Sequence, residues 1–280
     1  SADLKLREGE GKANATTAWV QPPGTPAMGE AFTRLYEATG DPLFRDAALA
    51  AADVLRRGQL RSGGWNEGID LDPAGRAKQA YRIDPPSKKK RNYSSLDDDR
   101  TQASLRFLIR LDRALNFEHE AVHEMTLFAL DGLLGGQYAN GAFPQVWSEP
   151  QDPVGHAPKK ASYPDEWSRT YQGHQNYWYR YTLNDNLMPD VIAALFLAAD
   201  VYKDKRYEDA ALRAADFLIL AQMPDPQPAW AQQYNDDMHP CWARKFEPPA
   251  ISGGESQGGA AVAAGRPAVA AGPAEEEVLA

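Results

Sequence analysis

The chain has 280 residues and a formal net charge of −9; 43% of its residues are hydrophobic and 25% are charged. This length suffices for a large domain with a full hydrophobic core, and the ordinary composition excludes collagen-like, fibrous and wholly disordered proteins. The acidic balance disfavours a nucleic-acid partner, and no apolar stretch reaches the roughly 18 residues that a membrane span needs.

Three segments end in a similar sequence pattern, which indicates an internal repeat. In each copy an aspartate is followed six positions later by a glutamine, and an aromatic residue follows six to eight positions after that. The members are Asp53, Gln59 and Trp65, then Asp131, Gln137 and Phe143, then Asp216, Gln222 and Trp230. The copies lie 78 and 85 residues apart, which predicts three similar structural units.

The sequence of each unit predicts a pair of helices. The first is broken at residues 40–42, where Pro42 suits the first turn of a second helix. The second unit is broken near Asn116 and the third at residues 202–205. Apolar residues recur at helical spacing on both sides of each break. Because strand-like alternation is scarce, the predicted fold is all-α and built from helical hairpins.

Two long loops, residues 71–94 and 147–181, follow equivalent points of successive units and are rich in Pro, Lys, Tyr and Trp. Long loops gathered at one end of a helical ring are a usual place for a functional site. We therefore expect an α/α toroid rather than an open superhelix.

The last part of the chain differs in composition. Residues 246–256 resemble the entry into a fourth hairpin, whereas residues 259–280 are rich in Ala and contain no aromatic residue. Such a segment buries too little apolar surface to become ordered. We predict a toroid domain over residues 1–258, incomplete at its C-terminal end, and a disordered tail over residues 259–280.

Two acidic clusters open the first helices of the second and third units. Residues 97–99 are three consecutive aspartates, and residues 184–186 read Asn-Asp-Asn. Helix capping explains one such residue in each cluster. Several hard oxygen ligands at one end of the ring also suit Ca²⁺ or a hydroxyl-rich substrate. Both interpretations remain open from this pattern alone.

Residues 119–123 match the HExxH pattern, in which two histidines bind zinc and the glutamate is a general base. In the register of the repeat, however, His123 aligns with Arg45 and Glu208 on the polar side of each second helix. No well-placed third ligand follows, so a solvated helix face is the favoured interpretation.

Basic and aromatic residues crowd the long loops. Residues 88–91 read Lys-Lys-Lys-Arg directly before the aspartates, residues 159–160 are both lysines, and residues 167–181 contain six aromatic side chains. A solvated loop is the usual explanation of basic runs, but bases beside a site in an acidic protein also suit an anionic substrate. Dense aromatic residues suit platforms for sugar rings.

A polar and aromatic motif closes the third unit, over residues 230–234 and 241–249. Its Pro-Pro pair excludes a helix, which indicates a fixed loop that belongs to the site.

Residues 97–257 resemble the family-ten polysaccharide lyases, which are α/α-toroid pectate lyases that cleave polygalacturonate with Ca²⁺. The matching segments are residues 96–98 with Thr101, and residues 106–108, 137–145, 183–188, 230–234 and 244–256. The resemblance implies that Asp97 and Asp185 lie at the Ca²⁺ ion and the substrate carboxylate, and that Arg244 faces the substrate. We expect further substrate contacts from Asn184, Arg91, Trp178, Trp230 and Glu247.

The resemblance also implies β-elimination with an arginine base. In this family a later segment of the toroid supplies that arginine, and residues 259–280 do not match it. Arg244 is therefore the first candidate for the catalytic base, and lyase activity is expected to be weak or absent. An arginine base implies an alkaline optimum, because the unperturbed pKa of arginine lies above about 12.

Two other functions remain open. An α/α-toroid glycoside hydrolase would use Asp97 and Asp185 as acid and base and would form no double bond. A truncated module would bind polyuronate without cleaving it. A terpene cyclase is disfavoured by the spacing of residues 97–99. We expect a monomer that acts on an acidic polysaccharide, without nucleic-acid or membrane partners, and that is secreted or periplasmic after loss of any signal peptide.

Overall fold

A computed structural model of the chain describes residues 15–86, 89–173 and 176–265. Its helices are α1 (Thr25–Thr39), α2 (Pro42–Gly58), α3 (Pro73–Arg76), α4 (Arg100–Ala114), α5 (Glu120–Gly135), α6 (Leu187–Tyr202), α7 (Lys205–Ala221) and α8 (Gly253–Ala263). Its strands are β1 (Thr17–Trp19), β2 (Gly68–Asp70), β3 (Ser94–Ser95), β4 (Val146–Trp147), β5 (Tyr181–Thr182) and β6 (Gln233–Tyr234). No helix in these ranges combines the length and hydrophobicity needed to span a bilayer.

The three predicted hairpins are α1–α2, α4–α5 and α6–α7, and their turns explain where each chain segment reverses. Gly40 has a φ of 68° and ends α1, and the Asp41 side chain accepts a hydrogen bond from the Leu43 N–H at the start of α2. In the third hairpin Lys203 has a φ of 55°, and Asp204 caps α7 in the same way. A left-handed residue followed by a capping aspartate therefore ends one helix and starts the next.

The hairpins lie side by side so that their first helices form an inner layer. Helix α4 packs between α1 and α6, and its Leu105, Phe107 and Leu108 side chains are fully buried. Each second helix packs against its own first helix as an outer layer. Two layers of helical hairpins are the arrangement of an α/α toroid, and within the described ranges the named strands form only two-stranded ribbons.

Each ribbon joins the chain after a hairpin to the chain before it. Strand β1 pairs with β2 around the first hairpin, β3 with β4 around the second and β5 with β6 around the third, all antiparallel. Ser95 lies opposite Val146, and Thr182 lies opposite Gln233. Because β3 and β5 lead directly into the acidic clusters, the ribbons hold both clusters at one end of the helices.

The repeated glutamine links each hairpin to the next. Gln59 donates from Nε2 to the Gly63 carbonyl in its own turn at 3.0 Å and to the Met125 carbonyl of α5 at 2.9 Å. Gln137 repeats this arrangement, with the Ala210 carbonyl of α7 as the distant acceptor at 2.9 Å. The glutamine recurs in the sequence because its side chain forms hydrogen bonds between neighbouring units.

The repeated aromatic residue belongs to the core in all three units. Trp65 and Phe143 are fully buried, and Trp230 is 4% exposed. The indole N–H of Trp65 donates to the Leu55 carbonyl and that of Trp230 to the Leu218 carbonyl, both at 2.8 Å. The Trp230 ring therefore fills the interior of the third unit, and its predicted substrate contact stays a prediction.

The chain just beyond residue 258 is helical, which differs from the predicted boundary. Helix α8 continues to Ala263, and Val262 is 8% exposed within the core. Gly259 permits this packing, because a Cβ atom there would lie 2.7 Å from the Trp230 ring. Residues 259–263 are therefore helical, with Gly259 and Val262 buried and residues 260, 261 and 263 exposed. Residues 266–280 lie outside the described ranges.

Candidate active site

Two matching 3₁₀ turns place the acidic clusters at the starts of α4 and α6. They span Asp97–Asp99 and Asn184–Asn186. The middle residue is left-handed in both, with a φ of 47° at Asp98 and 53° at Asp185, a conformation that short polar side chains tolerate better than most. The backbone therefore makes Asp98, and not Asp97, the counterpart of Asp185.

Asp97, Asp98 and Asp185 form an acidic triad in which one carboxylate oxygen from each residue lies within 4.8 Å of the others. This confirms the prediction that Asp97 and Asp185 lie close together. Ca–O distances are about 2.3–2.6 Å, so oxygens around one ion lie at most about 5 Å apart. The spacing and the hard oxygen donors fit Ca²⁺, and Asp98 is the member that the sequence reasoning did not single out.

Two further side chains orient the triad. The buried guanidinium of Arg100 lies 3.2 Å from a carboxylate oxygen of Asp97 and 3.2 Å from one of Asp98. Gln145, from the loop that follows α5, donates from Nε2 to Asp97 at 2.5 Å. Neither residue has a role predicted from the sequence, although Arg100 directly follows the aspartates and Gln145 lies in a matched motif.

Negative charge exceeds positive charge at the triad. Partial burial, together with repulsion from Asp98 and Asp97, raises the pKa of Asp185 to about 6, while Arg244 lowers it. A cation bound among the three carboxylates would relieve this repulsion. The electrostatics of the triad are thus those of a cation-binding group.

A buried ionic cluster lies next to the triad and joins α4 to α6. Arg106, which is 8% exposed, lies 2.5 Å from Asp99 and 3.6 Å from Asp190 of α6. In the register that aligns Asp98 with Asp185, Arg106 falls on Ala193 and Asp190 falls on Ala103. The cluster therefore belongs to this one junction between hairpins and is not a feature of the repeat.

An open cleft of about 570 Å³ adjoins the triad. Its polar lining includes Asp97, Arg100 and Gln145, and its aromatic lining comprises Tyr93, Tyr177, Trp178 and Tyr179. The Trp178 ring packs edge-on against Tyr177 and Tyr179, with ring centroids 5.2 and 6.2 Å away. Trp178 thus lies where the sequence analysis expects a substrate contact, beside the charged groups.

Arg244 and Glu247 line a narrow pocket that shares Tyr177 and Gln145 with the cleft. Arg244 donates two hydrogen bonds to the Glu247 carboxylate, at 2.7 and 2.5 Å. This pairing raises the pKa of Arg244 further above its already high ordinary value. Arg244 therefore holds its proton in this arrangement, which opposes the predicted role as the base.

A family model described as pectic acid lyase matches residues 59–270, well over half of the chain. The chain belongs to the pectic acid lyase family. The resemblance found in its motifs is thereby confirmed. No curated protein sequence matches the chain significantly.

Solved structures with this fold include a family 10 polysaccharide lyase from Cellvibrio cellulosa, which is 22% identical in sequence. The match has a TM-score of 0.56 and covers 86% of this chain and 67% of that one. A variant from the same organism, in complex with trigalacturonic acid, has 22% identity and a TM-score of 0.54 over 75% of this chain and 59% of that one. Cellobiose 2-epimerase from Bacillus thermoamylovorans has 12% identity and a TM-score of 0.51, with coverage of 86% and 52%. These likenesses support the α/α-toroid class.

The remaining predicted residues of this pectic acid lyase family member divide into two groups. Asn184 lies at the site, where its side-chain amide accepts a hydrogen bond from Gln232 at 2.6 Å and donates one to Asp185. Arg91 is exposed and lines neither the cleft nor the narrow pocket. Its backbone is hydrogen-bonded to the Lys78 carbonyl and the Ala80 N–H, which holds it near α3, and its substrate contact stays a prediction.

The HExxH segment of this family member is structural. His119 caps the N-terminus of α5, and His123 binds the fully buried carboxylate of Asp112 at 2.8 Å. Among the basic residues of the long loops, Lys159 pairs with Asp237 at 3.1 Å, and Lys88 lies outside the described ranges.

Proposed function

We propose that this protein is a pectate lyase that cleaves polygalacturonate by Ca²⁺-assisted β-elimination. The observation that carries the proposal is the acidic triad beside an aromatic cleft, in a chain of the pectic acid lyase family. The complex of a structural relative with trigalacturonic acid supports the substrate class. A protein with this substrate acts where the polymer is found, so we also propose a secreted or periplasmic location.

The triad is the proposed holder of the metal. Asp97, Asp98 and Asp185 would bind Ca²⁺, with Arg100 and Gln145 fixing the orientation of Asp97. When bound, the ion would neutralise a uronate carboxylate and so acidify the proton on the adjacent carbon.

The proposed reaction breaks two bonds and forms one double bond. A base removes the proton on the carbon beside the carboxylate. The electron pair forms a carbon–carbon double bond, and the glycosidic bond to the neighbouring carbon breaks. The departing oxygen takes up a proton, so the products are an unsaturated uronide and a shortened chain.

Arg244 is assigned to the substrate carboxylate and not to proton transfer. The Arg244 guanidinium already binds a carboxylate, that of Glu247, in the bidentate geometry that suits a uronate. A uronate carboxylate would replace or share the Glu247 contact. The pKa of Arg244, raised by that same contact, favours a group that stays charged throughout.

The decisive experiment follows ultraviolet absorbance of unsaturated product during incubation with polygalacturonate, with Ca²⁺ and with chelator. A lyase gives absorbance that chelator abolishes. A hydrolase gives new reducing ends without absorbance, and a binding module gives neither but still binds the polymer.

A further inference from the structure

Three donors from other parts of the chain hold the aromatic turn, the 3₁₀ turn Tyr177–Tyr179 whose side chains line the aromatic cleft. Its first carbonyl accepts a hydrogen bond from Gln233 Nε2 at 2.7 Å. Its second accepts from the Gln145 backbone N–H at 2.9 Å. Its third accepts from the Tyr138 hydroxyl at 2.7 Å. The aromatic turn is therefore anchored through its backbone at each of its residues.

The aromatic turn has a weak framework of its own. It spans three residues, and among the described residues no side chain caps its start. Two local backbone bonds close it, from the Tyr179 N–H to the Asn176 carbonyl at 3.0 Å and from the Arg180 N–H to the Tyr177 carbonyl at 2.9 Å. Hydrogen-bond geometry in so short a 3₁₀ turn is poor. The orientation of its rings therefore depends on the donors from outside the turn.

Tyr138 is a rigid donor. Its side chain is buried, and its ring lies 4.2 Å from that of His156 and 5.5 Å from that of Tyr181, measured between ring centroids. Burial raises the pKa of Tyr138 above its ordinary value. The hydroxyl therefore keeps its proton in alkaline solution and continues to donate to the aromatic turn.

Gln233 is the second side-chain donor, and it connects the aromatic turn to the acidic triad. Its buried amide donates to the Thr182 hydroxyl at 3.0 Å as well as to the aromatic turn. Thr182 lies opposite Gln233 in the ribbon of β5 and β6. It precedes the turn Asn184–Asn186 by two residues. One amide group therefore holds both the aromatic turn and the strand that leads to Asp185.

Neither donor is a feature of the internal repeat. In the register of the repeated glutamine, Tyr138 falls on Leu60 and Met223, which are both buried and apolar. In the register of the repeated aromatic residue, Gln233 falls on Val146 of the second unit. The packing of a hairpin unit thus requires neither the hydroxyl nor the amide. Both groups occur where the aromatic turn lies.

We propose that Tyr138 and Gln233 are positioning residues that fix the aromatic turn in the orientation that binds substrate. The inference rests on the proposed lyase function for the identity of the substrate. Both side chains act through the backbone of the aromatic turn, and the rings of the turn make the contact with the sugar. Loss of either donor would therefore weaken substrate binding while the triad keeps its geometry.

The first test needs no substrate. Tyr138→Phe removes one hydroxyl group, and Gln233→Met keeps the unbranched side chain without the amide. Both variants are expected to increase the quenching of tryptophan fluorescence by acrylamide, because the Trp178 ring becomes more accessible when its turn is released. In a Trp178→Phe background the same two substitutions should leave the quenching unchanged, which assigns the effect to this ring.

The second test measures binding of trigalacturonate by titration calorimetry in chelator, where no Ca²⁺-dependent cleavage occurs. Each variant is expected to bind about fivefold more weakly than wild type, the effect of one lost hydrogen bond. Tyr202→Phe is the matched control, because it removes a hydroxyl bond of the same length, to Asp112, at the opposite end of α6 from the triad. It should lower the urea midpoint of unfolding and leave affinity and quenching unchanged.

Unchanged quenching or unchanged affinity in both Tyr138→Phe and Gln233→Met would overturn the positioning role. An equal loss of affinity in Tyr202→Phe would also overturn it, because general destabilisation would then explain the result. The proposed function fails in a different way. If wild-type protein bound no trigalacturonate with or without Ca²⁺, while both variants still increased the quenching, the lyase proposal would fall and the anchoring of the aromatic turn would be supported.

Discussion

At the scale of single residues, Asp185 is the group on which the proposed metal site depends most. It is the one member of the triad that comes from the third hairpin. Its carboxylate faces both Asp97 and Asp98, and its pKa of about 6 reflects that proximity after the effect of burial. Removing its charge would remove the one proposed ligand that the third hairpin supplies.

We expect Asp185→Asn to weaken Ca²⁺ binding by about tenfold or more, because hard cations depend on carboxylate charge. Calorimetric titration with Ca²⁺ near pH 8 measures the change. Asp200→Asn is the control, since Asp200 lies near the exposed C-terminal end of α6, the helix that follows the turn of Asp185, and pairs with Lys203 at 2.9 Å. Equal affinity in Asp185→Asn and wild type would exclude the triad as the site.

Arg244→Ala should mainly raise the KM for polygalacturonate, by about tenfold or more, because a two-pronged charged contact is lost. The alkaline limb of the kcat profile should stay in place, since the contact with Glu247 raises the pKa of Arg244 and opposes proton transfer from it. Steady-state kinetics across alkaline pH distinguish the two effects. Arg206→Ala removes a similar exposed ion pair, with Asp204, away from the site and serves as control. If Arg244→Ala lost the alkaline limb of the kcat profile, Arg244 would again be the candidate for the base.

The residues of the site were predictable to the extent that their position follows from local pattern. The proximity of Asp97 and Asp185 follows from two matching helix starts in adjacent units. Gln145 is different, because its contact with Asp97 spans 48 residues and depends on how β3 pairs with β4. Trp230 is also different, because its burial depends on how the third unit packs around its ring.

At the scale of elements, the Arg106 cluster sets how α4 meets α6. Asp99 and Asp190 approach the same guanidinium from the two helices. Burial and the charge of Asp99 raise the pKa of Asp190 to about 7, despite the opposing effect of Arg106. Part of the stability of this junction therefore depends on pH in the neutral range.

Asp190→Asn tests this dependence. The unfolded chain ionises Asp190 near pH 4, while the folded protein keeps it protonated up to about pH 7, so wild-type stability falls as pH rises across that window. The asparagine variant lacks this pH-dependent contribution of Asp190. The free energy of unfolding of the variant minus that of wild type should therefore rise by about 1–3 kcal/mol from about pH 5 to about pH 8. Urea unfolding at both values measures it.

Asp209→Asn is the control, because the exposed Asp209 carboxylate pairs with Lys205 on α7. Its free energy of unfolding is expected to differ from that of wild type by the same amount at both pH values. The same absence of variation in Asp190→Asn would mean that Asp190 is ionised at every pH tested.

The helices themselves were predictable because hydrophobic spacing and the breaks at Gly40 and Asp204 act locally. The boundary near residue 258 was not, since α8 owes its order to tertiary packing. Its composition gives no amphipathic signal, and its order follows from packing on α6 and α7 and on the Trp230 ring beneath Gly259.

At the scale of the whole molecule, the glutamine contacts connect the hairpins in series. Gln137→Ala leaves the Gly141 and Ala210 carbonyls without their shared donor, and we expect a loss of about 1–3 kcal/mol in the free energy of unfolding. Gln222→Ala is the matched control, because Gln222 is exposed and makes one such bond, to the Pro228 carbonyl at 3.1 Å. Its effect should stay within about 0.5 kcal/mol. Equal losses would refute a special role for the inter-unit contact.

These serial contacts bear on how the molecule opens. In a chain of repeats, the coupling between nearest neighbours decides whether units unfold one by one or together. Here Gln59 couples the first unit to the second, Gln137 couples the second to the third, and α4 is packed on both sides. A ligand that binds only the folded form at the α4–α6 junction should therefore slow amide exchange in α2 as well, a hairpin away from any atom it touches.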